Sequence, residues 1–485
     1  MTNYVVTPNA GIVRTLPPWF LSLTIDTSVL IGGRWWGETR GTKEGLSRDR
    51  VEPLDLQSPD LARWAVPLAP ALLRVGGTEA DRIRYGFRHD GPDLPDATRE
   101  TFILTGKLWE KLNTWAQDQG FQVLFTVSAG PESRTEDGRW DGRDAERLIR
   151  NTVRKGYPVI GWEFGNEVNA YPFLYGWKRS VTNRRYLEDF AVFADLVRRL
   201  APGTKTVGPA SAIWPLVGEP NPLLPAFGRS PAAAFLDVMS FHFYPQQSSR
   251  GRVAVRRAKE ATLLNARSLD GVLRWIRHAR KSLSRGRAAN APLWITEAGH
   301  ALYGGEPGIS DTWLSTPWWL DQLGLLAHAG VEAVFRQSLV GGDYGLLDPE
   351  DFSPRPDYFA SVLWKTRMGP LVLGKPTVEG KDRRLRAWHH GRADGTSCLL
   401  LVNLHRRRWA SVTVNGDIRG VLVLEPEGEL NSGTAVLNGV PLRGAEGLKT
   451  ILGAGPGVLV RGAIDLPPLG CAFVELAGLA ERGPL

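Results

Sequence analysis

The sequence predicts an α/β protein: a (β/α)8 TIM barrel with a C-terminal all-β sandwich domain. Three observations carry that expectation. Eight short apolar runs alternate with helical stretches between about Pro17 and Trp364. After Trp364 the texture changes to short β-prone runs separated by Gly, Pro or Asn. The 485 residues exceed one average domain but suit a barrel and one smaller unit.

The eight expected barrel strands are Phe20–Asp26, Leu72–Gly76, Phe121–Val127, Val159–Glu163, Thr204–Val207, Val238–Phe243, Leu293–Thr296 and Ala333–Leu339. Their apolar runs are nearly continuous, as parallel strands buried on both faces require. Helices with apolar spacing near 3.6 lie between them. Ala145, Leu148, Ile149, Thr152 and Val153 mark one, with Asp141 as N-cap and Gly156 as stop. A second runs from Asp270 to Leu283, burying Val272, Ile276, Ala279 and Leu283 while Arg274, Arg277 and Lys281 face out. A doubly wound open sheet is the runner-up, but no Gly-rich phosphate turn follows the first strand.

The sandwich is expected over 366–485, with strands at Ser397–Leu404, Ser411–Val414, Gly420–Glu425, Ala435–Leu437, Gly457–Val460 and Cys471–Leu476 and no helix. Residues 1–15 also look β-like, around Tyr4–Val6 and Ile12–Val13, and are expected to add an edge strand to that sandwich. The barrel would then occupy 16–365.

Composition narrows the class. An apolar fraction of 42% with 23% charge is that of an ordinary globular protein. Eighteen Trp lean towards carbohydrate, because aromatic faces stack on sugar rings. The formal charge of +8 fits a polyanionic partner of some kind. Two cysteines, Cys398 and Cys471, exclude a disulfide scaffold and a cysteine-rich metal site, though not a single bridge. No run of eighteen apolar residues exists, so no membrane span is expected. The N-terminus, Met1 to Val6, lacks the basic-then-apolar plan of a secretion signal. A cytoplasmic protein and one with its leader removed both fit.

Barrel active sites lie at the C-terminal ends of the strands. The fourth strand ends in Gly161-Trp162-Glu163-Phe164-Gly165-Asn166-Glu167, and the seventh in Trp294-Ile295-Thr296-Glu297. Each puts a carboxylate where strand becomes loop, on different sides of the barrel mouth. Cleavage of a glycosidic bond needs such a pair: one acid protonates the leaving oxygen while a second carboxylate faces the anomeric carbon. One strand-end Glu is commonly just a solvated loop residue. Two, with Asn166 directly before one of them, point to chemistry.

The motifs around these residues resemble the heparanase family, glycoside hydrolase family 79. They are Leu73-Arg74-Val75-Gly76-Gly77-Thr78, Gly161 to Glu167, Tyr303-Gly304-Gly305 with Ser310-Asp311-Thr312, Trp319 to Gly324, Arg336-Gln337 and Pro356-Asp357-Tyr358. They occur in the family's order between about Ser22 and Asn403. The resemblance implies a retaining endo-β-glucuronidase acting on an acidic glycan such as heparan sulfate; an exo-β-glucuronidase releasing terminal glucuronate is the alternative. By the same resemblance Glu167 is the acid/base and Glu297 the nucleophile. Asn166 would bind the sugar 2-hydroxyl, and Arg74 would hold Glu297 ionised. His242 and Tyr244 point to the same mouth, while Asp26 and Thr78 would bind sugar hydroxyls. Tyr303, Gly304, Gly305 and Tyr344 would recognise the uronate carboxylate, with Gly letting the ligand approach the main chain. The spacing from Glu297 to Tyr303 is one residue longer than in the family's mammalian members, near His300. In place of their excisable linker this chain has only the short acidic segment Asp90–Asp96, which implies a single uncut chain.

The resemblance implies no metal and no organic cofactor, since two carboxylates suffice. Residues 250–287 hold twelve Arg or Lys against Glu260 and Asp270. Five of these cations (Arg250, Arg252, Arg256, Arg257, Lys259) follow the sixth strand and are expected at the catalytic mouth, where they would attract a polyanion. The expected partner is an acidic polysaccharide or glucuronide substrate, not nucleic acid or membrane, bound by a monomer. A non-catalytic glycan-binding protein on a retired barrel is a rival that the two carboxylates argue against. A nucleic-acid binder is another, suggested only by the basic loop and by no recognised motif.

Overall fold

The computed structural model describes residues 1–35, 49–87, 102–251, 254–283 and 288–478. The segment Asp90–Asp96 and Arg252 lie outside them. Eight parallel strands close into a barrel in sequence order: Leu21–Asp26, Ala71–Gly76, Phe121–Val127, Val159–Phe164, Lys205–Ser211, Val238–Phe243, Leu293–Ala298 and Ala333–Arg336. All eight expected strands are present, within a few residues at their ends. Inside the ring, Leu72, Leu124, Val207, Val238, Trp294, Ala333 and Phe335 form an apolar layer that fills the barrel as a core.

The helices follow the expected periodicity. Arg143–Lys155 buries Ala145, Leu148, Ile149 and Thr152, and Gly156 ends it in the left-handed region at φ 67°. Gly142 occupies the capping position, while Asp141 from one residue earlier accepts the Arg143 N–H at 3.1 Å. The expected Asp270–Leu283 helix begins at Val272. Asp270 instead receives Arg386 at 2.7 Å. Among the described residues no helix is long and apolar enough to cross a membrane.

Beyond the barrel, two antiparallel-rich sheets face each other. One has the order 377–380, 2–7, 410–414, 464–466; the other has 12–15, 371–373, 385–391, 397–403, 471–476, 418–426, 435–437, 440–441. Tyr4, Val6, Leu399, Leu401, Val412 and Val474 share the core between them. The strand Ser397–Asn403 is buried at every position. Its Leu399 and Leu401 face the partner sheet, while Cys398, Leu400 and Val402 join the core of the barrel. The helix Thr316–His328 lies on that second face, and a side chain at Gly324 would come within 2.2 Å of Trp388.

Several expectations need correction here. Residues 2–7 form an inner strand, paired to 377–380 on one side and 410–414 on the other, while the expected edge strand is Ile12–Thr15, at the end of the larger sheet. The region is not free of helix, because Gly444–Gly453 is helical and buries Leu448 and Ile451. Four apolar residues among ten, Ala445, Leu448, Ile451 and Leu452, gave that helix too weak a period to read. Gly457–Val460 is no strand; only Val458 bridges to Val421. The two cysteines are buried and unbonded. Cys398 pairs in register with Glu475, and Cys471 with Val402, so they sit apart along neighbouring strands.

Candidate active site

The polar groups of the mouth stand one pleat above the interior apolar layer. Arg74 follows Leu72 on the inward face, Thr126 follows Leu124, and Ser240 and His242 follow Val238. Simple alternation from Trp294 would send Thr296 inward and Glu297 out to the helices. The ladder slips instead: Phe241 pairs with Ile295, but His242 pairs with Glu297. The unopposed Thr296 turns Glu297 to the mouth. A second slip between Val159 and Gly161 does the same for Glu163.

Arg74 is the hub, fully buried. Its Nε donates to Glu163 at 2.7 Å, its Nη1 to Glu297 at 2.8 Å, and its Nη2 to Asn166 Oδ1 at 2.9 Å. Nη2 also lies 3.3 Å from His242 Nε2. Because guanidinium only donates, Nε2 must accept, so the hydrogen of a neutral His242 sits on Nδ1. That Nδ1 is 3.0 Å from Glu167 Oε1, to which it donates. Burial lowers the His242 pKa, which favours this neutral form. Tyr244 donates to the other oxygen of Glu297 at 2.6 Å.

Electrostatics separate the carboxylates. Burial opposes the charge of Glu163, yet Arg74, by charge and hydrogen bond, holds it below the usual carboxylate range. Burial lifts Glu297 above that range, and Arg74 and Tyr244 offset only part. Asp26 is pushed well up by burial and by the charge of Glu297. An oxygen of Glu167, an oxygen of Glu297 and a nitrogen of His242 all lie within 4.8 Å of one another. A cation among them would face the Arg74 guanidinium and the Nδ1–H of His242, so the donor set suits a proton better than a metal.

The other expected residues gather in two places. Gln337 donates to Asp26, and to the Tyr344 hydroxyl at 3.4 Å. Tyr344 lies beside Tyr244, with ring centroids 6.4 Å apart. Tyr303, Gly304 and Gly305 all have positive φ, from 73° to 91°, which makes a tight backbone turn with both glycines buried. Among the described residues no protein acceptor takes the N–H of Gly304 or Gly305. The Gly304 carbonyl accepts from Asp343 at 2.7 Å, which ties this turn to the loop after the eighth strand. His300, within that longer spacing, is buried with its Nδ1 2.9 Å from the Ser310 hydroxyl. Thr78 is half-buried, and the bond it makes runs through its carbonyl to Tyr175 at 3.2 Å.

Three residues given no role from sequence complete the cluster. Glu163 stands inside a quoted motif but holds Arg74 from a position that alternation alone misplaces. Gln337 orients Asp26. Asp81 accepts the N–H of Asn166 and of Ala129, both at 2.8 Å, and nothing in its local sequence marks it. Glu167 itself sits in the left-handed region at φ 52°, with its N–H on the Ala210 carbonyl at 3.1 Å. The basic loop is partly committed to the protein, although Arg257 and Lys259 are exposed. Arg250 is paired to Asp343 and donates to the Gly305 carbonyl at 3.1 Å. Arg256 reaches Ser268 at 2.9 Å. Lys259 precedes Glu260, which pairs with Arg406 of the sandwich.

Comparison with known proteins agrees with this arrangement. Heparanase from Rattus norvegicus is 29% identical over 451 residues, covering 81% of this chain and 76% of the rat protein. Baicalin-beta-D-glucuronidase from Scutellaria baicalensis is 27% identical over 380 residues, covering 72% and 68%. In fold, the chain superposes on the GH51 alpha-L-arabinofuranosidase from Thermotoga petrophila with a TM-score of 0.65, 13% identity and coverage of 98% and 100%. The model of the glycosyl hydrolase family 79 N-terminal domain matches residues 26–324, a stretch that takes in both strand-end carboxylates and the arginine between them. The chain therefore belongs to glycosyl hydrolase family 79 and is a glycoside hydrolase.

Proposed function

We propose that the chain is a retaining β-glucuronidase with Glu297 as nucleophile and Glu167 as acid/base. The observation that carries this is the approach of the two carboxylates, with oxygens within 4.8 Å. Retaining enzymes place the pair about 5–5.5 Å apart, whereas inverting enzymes need roughly 6.5–9.5 Å to admit a water. Glu297 attacks the anomeric carbon while Glu167 gives its proton to the departing oxygen, and the glycosidic bond breaks. Water then attacks that carbon, Glu167 takes its proton, and the Glu297 ester opens. Tyr244 and Arg74 hold Glu297 by both oxygens, aimed and ionised. His242 donates to Glu167 and leaves the other oxygen for the acidic proton. The unpaired N–H groups of Gly304 and Gly305, with the Tyr303 and Tyr344 phenols, suit a uronate carboxylate. Asn166, Asp26 and Thr78 are left to meet hydroxyls.

Two modes of attack share this centre. Endo-cleavage of an acidic glycan such as heparan sulfate calls for uncommitted cations along the cleft. The pairing of Arg250 with Asp343, and the binding of Arg256 to Ser268, withdraw two of the loop's cations and leave Arg257 and Lys259 exposed, which favours the second mode, exo-release of a terminal glucuronate. The decisive experiment follows an aryl β-glucuronide by proton NMR, beside product analysis on heparan sulfate. The β anomer should appear first, and a fluorinated glucuronide inactivator should label Glu297. A first-formed α anomer, or labelling elsewhere, contradicts the mechanism; oligosaccharides from internal cuts contradict the exo mode. Glu167→Ala should spare substrates with activated leaving groups and be rescued by azide as a β-azide product.

A further inference from the structure

The loops after the fourth and fifth strands carry the most exposed large apolar side chains of the mouth. Trp177 is 76% exposed, Leu216 73%, Phe173 56% and Val217 56%. Phe173 stands six residues beyond Glu167, and its ring meets Trp214 edge-on at 5.0 Å and Trp177 at 6.3 Å. Trp214 in turn stands four residues beyond Ala210, whose carbonyl takes the N–H of Glu167. Asn169 locks the two loops together through paired bonds with Ala212, at 3.0 and 2.9 Å.

The cluster is held rigid. Trp214 and Gly218 exchange both backbone bonds, at 2.9 and 2.8 Å, which leaves Leu216 and Val217 on the tip between them. Leu216 is kept at φ 64°, a conformation that leucine rarely adopts. Trp275 lies under the hairpin so closely that a side chain at Gly218 would come within 2.5 Å of it. Glu219 anchors the far side by accepting from the Ser211 hydroxyl at 2.6 Å and from the N–H of Leu223 and Leu224. Rings and aliphatic tips that cannot collapse into the protein offer a preformed apolar surface.

We infer that Phe173, Trp177, Trp214 and the Leu216–Val217 tip form a platform for an apolar, planar aglycone of a β-glucuronide. This rests on the proposed function. A general acid protonates the leaving oxygen, so the leaving group lies on the side of Glu167, and these loops extend from Glu167 and from its backbone partner. A sugar in this place would need partners for its hydroxyls, whereas Phe173, Leu216 and Val217 supply none and each tryptophan only one indole N–H.

The test compares wild-type enzyme with Trp177→Ala and with Trp177→Ala/Leu216→Ser. The substrates are a polycyclic aryl β-glucuronide, methyl β-glucuronide and a glucuronosyl disaccharide. The ratio of kcat/KM for the polycyclic over the methyl glucuronide should fall about tenfold in the double variant, mainly through KM. Both side chains are exposed, so the fold is not at stake. An unchanged ratio overturns the inference while leaving the glucuronidase reading intact. A larger loss on the disaccharide than on the polycyclic substrate assigns the platform to sugar and also overturns it. If the wild-type enzyme cleaves no β-glucuronide at all, the parent reading fails and this inference fails with it.

Discussion

Arg74 on the second strand and Arg336 on the eighth are both wholly buried, yet they face opposite ways through the barrel wall. Arg74 points inward with Leu72 and carries Glu163, Glu297, Asn166 and His242. Arg336 follows the inward Phe335 and so points out to the helices. It binds Asp357 and the Tyr344 carbonyl, at 2.7 and 2.9 Å, and lies over the rings of Trp319 and Trp318. Burial lowers the pKa of Arg336, and its Nη1 has no hydrogen-bond partner among the described residues. Burial also opposes the charge of Arg74, but Glu163 and Glu297 together drive its pKa up. Equal burial thus gives unequal roles. One guanidinium spread over two carboxylates sets the charge of the mouth, while one matched to a single carboxylate fastens a helix to the barrel.

Breaking the inward hub should cost most. Arg74→Met leaves Glu163 and Glu297 buried with no cation. It should destabilise the protein by about 3–5 kcal/mol in urea titrations. Turnover of an aryl β-glucuronide should fall by at least on the order of 10^3-fold, because Glu297, the proposed nucleophile, loses both its aim and its charge. Arg74→Lys should recover part of the stability but little turnover, since one ammonium cannot reproduce a fork on Glu163, Glu297 and Asn166. A lysine variant with near-normal kcat would make Arg74 a mere counterion.

Arg336→Met should be just as costly to stability, about 3–5 kcal/mol, because Asp357 is left with only the Ser315 and Thr316 hydroxyls. It should change kcat per folded molecule by less than about threefold. Here rescue is available: Arg336→Met with Asp357→Leu removes both charges from an apolar layer and should regain most of the loss. The equivalent double change at Arg74 and Glu297 would leave Glu163 stranded. If the outer pair resists rescue while the inner one accepts it, the contrast is wrong.

Asp81 is a third buried group, and no ion pair reaches its carboxylate among the described residues. Burial raises its pKa to about 6 against the N–H groups of Ala129 and Asn166. A carboxyl raised on folding stabilises the native state fully below its ordinary value near 3.8, and that contribution is lost as pH rises through about 6. Stability should therefore lose roughly 3 kcal/mol across that window from this group alone. Asp81→Asn should flatten this slope when urea midpoints are compared from pH 4 to 7. Since Asp81 holds the backbone of Asn166, the variant should also raise KM for the glucuronide. Parallel slopes in the two proteins would clear Asp81 of the role.

The contrast also shows how far the sequence could be read. The barrel was legible because eight strands buried on both faces leave runs with few polar interruptions, and because each strand end carries its own chemistry. Glu167 and Glu297 could be picked out as strand-end carboxylates without knowing their orientation. What turns Glu297 inward is a slip in the ladder at Thr296, and a slip leaves no mark in composition or period. Asp81 was invisible for a related reason: its partners are backbone N–H groups 48 and 85 residues away. In the basic loop charge could be counted from sequence while its pairing could not, and Arg257 and Lys259 do stay exposed. Arg250 meets Asp343 across 93 residues. In the sandwich, residues 2–7 became an inner strand because two partners far along the chain, 377–380 and 410–414, both had free edges.

The smallest expected effect tests whether the mouth carries a standing cost. Burial raises the pKa of Glu297 despite Arg74 and Tyr244, so the ionised side chain is a net burden on the folded state. The sign is that of Asp81: the contribution is fully present below the ordinary carboxylate value and is lost as pH rises through the raised one. Glu297→Gln keeps the shape and removes the charge, while Arg74 retains Glu163 at 2.7 Å. The variant should thus match wild-type stability near pH 4 and exceed it towards neutrality, by no more than about 2 °C in Tm for a chain of this size. It should do so while losing nearly all turnover if Glu297 is the nucleophile proposed above. Calorimetry of the two proteins across that pH range measures the gap directly. If Glu297→Gln is instead less stable at neutral pH, the Arg74–Glu297 pair is net stabilising, and the inner arginine then resembles the outer one in energy as well as burial.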